Sequence, residues 1–338
     1  MDPTRTTNGI RVGGDARQRL YHARGYGEPV GERDILLAPV EAAHLLYRED
    51  IPHVDGADFA TFCQSESSDA FLTRFLVYKD VRDRGYYLSP WPAVDTQDFV
   101  VFERGSDPRA EQVAFRVHIV DERTAIDVDT LAPGVIAMVD EEGEVGYVEL
   151  TRYTPAGELS LPDVRNVAAT IIGNRVIAWD PPTDLYAGGF FGQPVAGRNE
   201  HEGALQLSLV EALYLAQHDI LELDPERVRE QGRTSEASTA FDARSRVYTA
   251  LRAAGSVPKT GFKFGAAYRV YHEFDGIDAM GHSAVLIRIL DRADRIDPAS
   301  LALDVRLAHG VGKRMVFAIQ PENDTPTISW LSVTRMTP

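Results

Sequence analysis

Three side chains in the C-terminal part of this 338-residue chain could act together in acid–base chemistry: Tyr271, His282 and Lys313. An imidazole titrates near neutral pH and can donate a proton, and a phenol can serve as a base where a nearby cation favours its anion. A lysine ammonium is a compact positive charge, and only four of the 35 basic residues are lysine. Each residue alone is more often a packing or surface residue, but the combination favours an active centre.

These side chains stand out because the chain contains a second, similar half that lacks them. Matches in a constant order indicate a tandem duplication. The matched segments, at offsets of 165 to 183 residues, are Leu20-Tyr21 with Leu185-Tyr186, Gly27-Glu28-Pro29-Val30 with Gly192-Gln193-Pro194-Val195, Val40-Glu41-Ala42 with Val210-Glu211-Ala212, Arg82 with Arg252, and Thr151-Arg152 with Thr334-Arg335. Phe102 takes the place of Tyr271 and Gln112 that of His282, while Lys313 lies in a stretch that is thirteen residues longer in the second half. We therefore expect one active and one inactive copy.

Hydrophobic periodicity predicts the elements that must position these residues. The predicted helices cover residues 38–47, 68–84, 207–216, 238–254 and 301–308, and the predicted strands cover residues 99–102, 113–120, 146–150, 268–271, 283–290 and 328–333. The expected fold class is mixed α/β with mainly antiparallel strands, because the connections are short. With a boundary near residue 160, the repeats are residues 1–160 and 161–338. Each combines a small α/β N-terminal subdomain (10–66 and 165–237) with a mainly antiparallel α/β subdomain (67–156 and 238–338).

The predicted elements place the three candidate residues near one another. A hairpin with residues 275–281 as its loop would bring Tyr271 and His282 to the same end, and His272 would point to the opposite face of the strand. The helix before Lys313 is interrupted by Gly310 and Gly312, which would return the lysine to the sheet edge.

Composition limits the class of protein. The chain has a net charge of -16 and few lysines, which fits a protein adapted to a salty cytoplasm. At molar salt the Debye length is only ~3 Å, so repulsion between the chain and a polyanion is largely screened, and the net charge does not exclude a nucleic acid as ligand. An ordinary acidic composition is the alternative. A single cysteine, Cys63, excludes an internal disulfide and a cysteine metal site. Neither a membrane span nor a signal peptide is visible, so we expect a soluble, cytoplasmic protein.

Four segments of the second half resemble, in order and spacing, the motif of the archaeal tRNA-splicing endonucleases. They are Gly261-Phe262-Lys263-Phe264-Gly265, Tyr268-Arg269-Val270-Tyr271, His282-Ser283 and Val305-Arg306-Leu307-Ala308-His309-Gly310-Val311-Gly312-Lys313. The duplicated layout is similar to the two-repeat, homodimeric branch of that family, and the second subdomain of each repeat would be nuclease-like. One departure is Gly312, which stands where an arginine is usual.

The resemblance implies metal-independent cleavage of precursor tRNA at a bulge-helix-bulge, with no cofactor. Attack by a ribose 2′-hydroxyl would leave 2′,3′-cyclic phosphate and 5′-hydroxyl ends. Tyr271 would be the base, His282 the acid for the leaving 5′-oxygen, and Lys313 the cation that stabilises the transition state. Arg306 and Arg335 match the arginines that sandwich a flipped bulge base. A structural role is equally open for Arg335, whose counterpart in the inactive half is also arginine, and His309 could lie near substrate or pack within its helix.

An acidic turn in the first half, Asp140, Glu141, Glu142 and Glu144, is on its own typical of a solvated hairpin tip. The resemblance implies that it docks into a basic cleft of a second copy, so we expect a homodimer closed by a twofold axis, with apolar pairing of residues 328–331 contributing. Neither DNA nor a membrane is expected as a partner.

Two other classes of function remain as alternatives. A metal-dependent nuclease usually carries an acidic residue two positions before its lysine, but Val311 stands there. A non-catalytic RNA-binding or assembly subunit would have lost the three candidate residues from both halves, yet one half retains them.

Overall fold

The structure is a computed structural model that describes residues 2–66, 70–90, 98–105, 112–197, 203–274, 276–277, 281–321 and 327–338. The chain divides into two compact units. The first comprises residues 1–151, 295–305 and 334–338, and the second comprises residues 152–294 and 306–333. Each unit encloses a hydrophobic core of its own. The repeat boundary near residue 160 and the boundaries of the subdomains within each repeat stay predictions.

The first unit contains a small four-stranded sheet, a larger sheet and several helices. Strands β1 (Thr4–Thr6), β2 (Gly9–Val12), β3 (Glu28–Val30) and β4 (Asp34–Leu37) form an antiparallel sheet in the order β1-β2-β4-β3. Helices α1 (Pro39–Tyr47), α2 (Phe59–Ser65) and α3 (Ala70–Asp83) follow. The second sheet contains β5 (Leu88–Ser89), β6 (Phe99–Phe102), β7 (Val113–Asp121), β9 (Gly134–Val139) and β10 (Val145–Arg152), in the order β5-β6-β7-β9-β10. A short strand β8 (Ile126–Asp127) pairs with β18 (Arg295–Ile296).

The second unit has the same order of elements. Strands β11 (Ala169–Ile172), β12 (Arg175–Ala178), β13 (Gln193–Pro194) and β14 (Leu205–Ser208) form the small sheet, in the order β11-β12-β14-β13. The helices are α4 (Thr183–Tyr186), α5 (Leu209–Ala216), α6 (Pro225–Ser235), α7 (Ser238–Ala253) and α8 (Pro298–Gly310). Helix α8 is divided between the units, and only its residues from Arg306 onward belong to the second. The larger sheet has the order β15 (Val257–Thr260), β16 (Tyr268–Tyr271), β17 (Val285–Leu290), β19 (Arg314–Ile319) and β20 (Ser329–Met336).

The predicted fold class, mixed α/β with mainly antiparallel strands, is confirmed. Each unit also contains a parallel pair of strands, β7 with β9 in the first and β17 with β19 in the second. Between β17 and β19 the chain passes through α8, and a parallel pair needs such a crossover. The predicted helix at residues 207–216 begins too early. Residues 205–208 form β14, and the Ser208 hydroxyl accepts a hydrogen bond from the Glu211 backbone N–H, which starts α5 at Leu209. Ser68 and Asp69, at the start of another predicted helix, lie outside the described residues.

A buried glutamate organises the small sheet in both units. In the first unit the two carboxylate oxygens of Glu41 accept hydrogen bonds from the backbone N–H groups of Gly27, at 2.7 Å, and Ala38, at 2.8 Å. In the second unit Glu211 makes the equivalent bonds to Gly192 and Ser208, each at 3.1 Å. Each carboxylate thereby joins the start of a helix to a glycine turn whose positive φ suits glycine. The shared device supports our proposal of a duplicated origin.

Candidate active site

Three neighbouring strands of the second unit, β16, β17 and β19, bring the predicted catalytic residues to the same end of the sheet. Val285 of β17 pairs with Val270 of β16 on one side and with Arg314 of β19 on the other. Tyr271 directly follows the first of these partners, and Lys313 directly precedes the second. The predicted hairpin between β16 and β17 is therefore correct, although four residues of its loop, 275 and 278–280, lie outside the described residues.

Lys313 is attached to the segment that carries His282. Its Nζ donates a 2.5 Å hydrogen bond to the carbonyl oxygen of Ser283 and lies 5.6 Å from the centroid of the Phe264 ring. His282, the residue before Ser283, is exposed at the start of this extended segment. Partial burial, with a smaller contribution from the positive charge of Arg269, lowers the pKa of the Lys313 ammonium. The site thus contains a half-buried lysine beside an exposed histidine.

Gly312 has a backbone reason for departing from the family motif. Its φ is +64°, in the left-handed region that favours glycine, and it lies in the turn that closes α8. A hydrogen bond of 2.8 Å from the backbone N–H of Lys313 to the carbonyl oxygen of Ala308 completes this turn. A glycine here allows the chain to leave the helix and enter β19 within a few residues.

Tyr271 is more deeply buried than the other two candidates, with 4% of its surface exposed. The Phe190 ring packs edge-on against it at 5.8 Å between centroids, and the Arg269 guanidinium lies 5.8 Å from the centroid of its ring. His272 has different surroundings: its Nδ1 lies 2.8 Å from the carbonyl oxygen of Ala156. The two neighbouring side chains therefore have separate environments, as strand alternation predicts.

Arg269 is a site residue that the sequence reasoning did not select. It lies over the ring of Tyr271, and its positive charge helps to lower the pKa of Lys313. Its Nε is buried and has no hydrogen-bond partner among the described residues. Its position in the sequence, two residues before Tyr271, indicates that the two side chains lie on the same face of the strand, since alternate residues of a strand share a face.

A second lysine stabilises the loop that packs on Tyr271. Lys259 Nζ donates hydrogen bonds to the Glu211 carboxylate at 2.8 Å and to the carbonyl oxygens of Phe190 and Gly192 at 3.2 and 3.0 Å. Burial alone would raise the pKa of Glu211, but the charge and hydrogen bond of Lys259 lower it to about 2. A compact ammonium can serve three acceptors at once, which explains a lysine in an arginine-rich chain.

Arg306, His309 and Arg335 are exposed. Arg306 projects from the last turns of α8 in the second unit, and His309 follows it in the same helix. Arg335 lies in β20 in a segment that belongs to the first unit.

The acidic turn joins β9 to β10, and its four carboxylates have different surroundings. One oxygen of Asp140 accepts hydrogen bonds from the backbone N–H groups of Glu142 and Glu144, at 3.0 and 2.8 Å, so this side chain holds the turn together. Glu141 pairs with Arg123 at 2.6 Å. The three glutamates are exposed and present their charge at the tip.

The part of the chain that the structure describes holds no group of three His, Cys, Asp or Glu side chains arranged to hold a metal ion. Within the same residues, no helix is both long enough and apolar enough to cross a membrane.

Comparison with known proteins identifies the family. The sequence model of the tRNA intron endonuclease catalytic C-terminal domain matches residues 241–330, and that of the tRNA intron endonuclease N-terminal domain matches residues 7–64 and 167–232. The chain is 48% identical to a tRNA-splicing endonuclease of Halobacterium salinarum over the whole of both proteins. It is 45% identical to that of Haloferax volcanii, and 34% identical to that of Methanosarcina acetivorans, over 97% of each chain. The first two come from halophilic archaea, as the acidic composition predicts. The resemblance to this family is thereby confirmed, and the chain belongs to the tRNA intron endonuclease family, a family of RNA endonucleases.

Proposed function

We propose that this protein is a tRNA-splicing endonuclease that excises introns from precursor tRNA at bulge-helix-bulge motifs, through a metal-independent reaction. The observation that carries the proposal is the pairing of Val285 with both neighbouring strands. Because of this pairing, Tyr271 and Lys313 lie at the end of the sheet where the segment that carries His282 enters β17. Family membership supplies the substrate class, and the chemistry of the three side chains supplies the reaction.

In the proposed reaction Tyr271 removes the proton from a ribose 2′-hydroxyl, and the oxygen attacks the adjacent phosphorus. The bond from phosphorus to the 5′-oxygen breaks, and His282 donates a proton to that leaving oxygen. The products are a 2′,3′-cyclic phosphate and a 5′-hydroxyl. A phenol is a weak base unless its anion is stabilised, and Arg269 is the nearby cation that suits this task.

Lys313 would stabilise the negative charge that builds on the phosphate oxygens. An ammonium has three N–H donors, and one of them is used by the Ser283 carbonyl. Two donors therefore remain for the transition state. Because they are held by a backbone contact, little reorganisation is needed during the reaction.

Arg306 and Arg335 are proposed to hold an unstacked bulge base between their guanidinium planes. Both are exposed, and RNA bulges are commonly recognised by stacking on such planes. We further propose a homodimer in which the glutamates of the acidic turn contact a second copy.

Cleavage of an intron-containing precursor tRNA in high salt with excess chelator tests the function. The intact protein should cut and leave cyclic-phosphate and 5′-hydroxyl ends, and His282→Ala should be inactive while still binding the RNA. His53→Ala, which changes a histidine of the first unit, is the matched control and should remain active. A requirement for a divalent ion would favour a metal-dependent nuclease, and binding without cleavage by the intact protein would favour a binding module.

A further inference from the structure

The first unit contains a positively charged cleft that the proposed reaction does not use. It has a volume of about 230 Å³ and is lined by Arg24, Tyr26, His44, Arg48, Arg82 and Tyr87. Three arginines around one small cleft are unexpected in a chain with a net charge of -16. All six residues lie within residues 1–151, so the cleft is complete within one unit.

The acidic groups near the cleft do not cancel its positive charge. Asp50 is shared by two arginines, with 2.5 Å to Arg24 and 3.2 Å to Arg48. Burial pushes the pKa of Asp50 up, but these two hydrogen bonds hold it below its ordinary value, so it counts as one negative charge. Glu41 is buried nearby, and burial raises its pKa to about 7, so near neutrality it carries only part of a charge. Within the residues that the structure describes, Arg82 therefore has no full counter-charge of its own.

Arg82 and His44 each carry a buried nitrogen atom that has no hydrogen-bond partner in the described part of the chain. Nη2 of Arg82 donates to the carbonyl oxygen of Arg24 at 2.9 Å, and its guanidinium lies 4.1 Å from the ring centroid of Tyr26 and 5.2 Å from that of Tyr87. Its Nη1 has no acceptor among the described residues. His44 is 1% exposed; its Nδ1 lies 2.9 Å from the Tyr26 hydroxyl, but its Nε2 has no partner there either. Buried polar atoms are nearly always paired, so these nitrogens favour a ligand in the cleft.

In the second unit the residues that correspond to this cleft form a closed arrangement around Arg252. Arg252, the counterpart of Arg82, lies 3.9 Å from the Phe191 ring centroid and donates to the carbonyl oxygen of Gly189 at 2.9 Å. Its Nη2 also has no partner among the described residues, but this guanidinium is closed in, with 7% of the residue's surface exposed, so the two units differ in access rather than in this nitrogen. The residues that correspond to Arg24, Arg48 and Tyr87 are Gly189, His218 and Val257. The additional cations are thus specific to the half that lacks the catalytic residues.

We propose that this cleft binds a phosphate group of the RNA backbone, which gives the inactive half a role in holding the substrate. The proposal rests on the proposed function for its RNA. Guanidinium groups match phosphate oxygens with parallel N–H donors, and Arg82 offers such a group at the buried end. Arg24 and Arg48 are 43% and 49% exposed at the mouth, where a polymer phosphate can reach them. Free inorganic phosphate shares this chemistry and must be distinguished from RNA.

The test compares Arg24→Gln/Arg48→Gln with Arg11→Gln/Arg19→Gln, all in a His282→Ala background that cannot cut. The control removes two exposed arginines of the same unit that also pair with aspartates, so the net charge changes equally. Precursor tRNA binding is measured over a range of KCl concentrations, and inorganic phosphate alone is tested by its effect on Tm. We expect the cleft variant to bind RNA more weakly, with a salt slope of log K smaller by about one per lost phosphate contact. The control should keep a steeper slope.

Each other outcome is informative. Equal RNA binding by both variants would overturn the proposal. Phosphate-dependent stabilisation that only the cleft variant loses, with unchanged RNA binding, would identify a free-anion site instead. A change in oligomeric state of the cleft variant, measured by sedimentation, would show that a carboxylate of a second copy occupies the cleft. If the parent protein binds no precursor tRNA, the proposed function fails, whereas the phosphate titration still reports on the cleft.

Discussion

Lys313 Nζ donates a 2.5 Å hydrogen bond to the carbonyl oxygen of Ser283, thirty residues earlier in the chain. The parallel pairing of β17 with β19 makes this contact possible, because Val285 and Arg314 are paired immediately beyond it. The bond joins the segment that carries the proposed acid to the side chain that would stabilise the transition state. The site therefore depends on strand pairing as much as on its three side chains.

Lys313→Arg should reduce the rate of precursor tRNA cleavage by ~10²-fold or more, since a wide guanidinium cannot replace a compact ammonium between Ser283 and Phe264. Single-turnover cleavage with saturating enzyme measures the chemical step. Lys263→Arg, at an exposed lysine in the preceding motif, is the control and should cleave normally. Equal rates for the two variants would contradict the role of Lys313.

Arg269→Gln should slow cleavage and move the pH–rate profile to higher pH. The substitution removes a cation beside the Tyr271 ring, and the same cation helps to lower the pKa of Lys313, so the Lys313 ammonium should keep its proton to higher pH. Cleavage rates between pH 6 and pH 10 provide the readout, and Arg269→Lys should restore part of the profile. A uniform loss of rate with an unmoved profile would indicate that Arg269 has only a packing role.

Lys259→Met should destabilise the second unit by about 3–5 kcal/mol, because it leaves the buried Glu211 carboxylate without its cation. Denaturant unfolding at neutral pH and constant salt measures this loss. Lys79→Met breaks a more exposed pair with Asp83 and should cost only about 0–1 kcal/mol. Similar losses in the two variants would show that the Lys259 pair contributes no more than a surface ion pair.

The two buried glutamates predict opposite pH dependences for the two units. Burial raises the pKa of Glu41 from 4.5 to about 7, so between these values the folded state binds the proton more tightly and the first unit loses stability as pH rises. The pKa of Glu211 is lowered from 4.5 to about 2, so its contribution is present above pH 4.5 and is lost as pH falls toward 2. Amide hydrogen exchange in α1 and α5, followed against pH at constant salt, separates the two trends. Glu41→Ala should flatten the trend in α1 between pH 4.5 and 7, and an unchanged trend would exclude this carboxylate as its source.

Local sequence patterns were enough to predict most of the long elements. Strand β7 covers the predicted residues 113–120 and extends to Asp121, and α7 ends one residue before its predicted end at 254. These elements have a clear period or a run of β-branched residues over several turns or positions. The short strands β11 to β14 were not predicted, because two to four residues are too few to show a period.

The amino-acid sequence by itself determined which half carries the three candidate residues, because the identities of Tyr271, His282 and Lys313 and their absence from the other half can be read directly. Tertiary structure decided which groups surround them. The position of Arg269 between two site residues depends on strand pairing. So does the contact of Lys313 with Ser283.

The arginine cleft of the first unit also depends on the tertiary structure. Arg24, Arg48 and Arg82 are separated by 24 to 58 residues, and each looks like an ordinary surface arginine in the sequence. They meet because the end of the helical segment before β3, the end of α1 and the end of α3 pack around one core. Local patterns encode periodicity and chain reversal, whereas a cluster of charges arises only from contacts between distant segments.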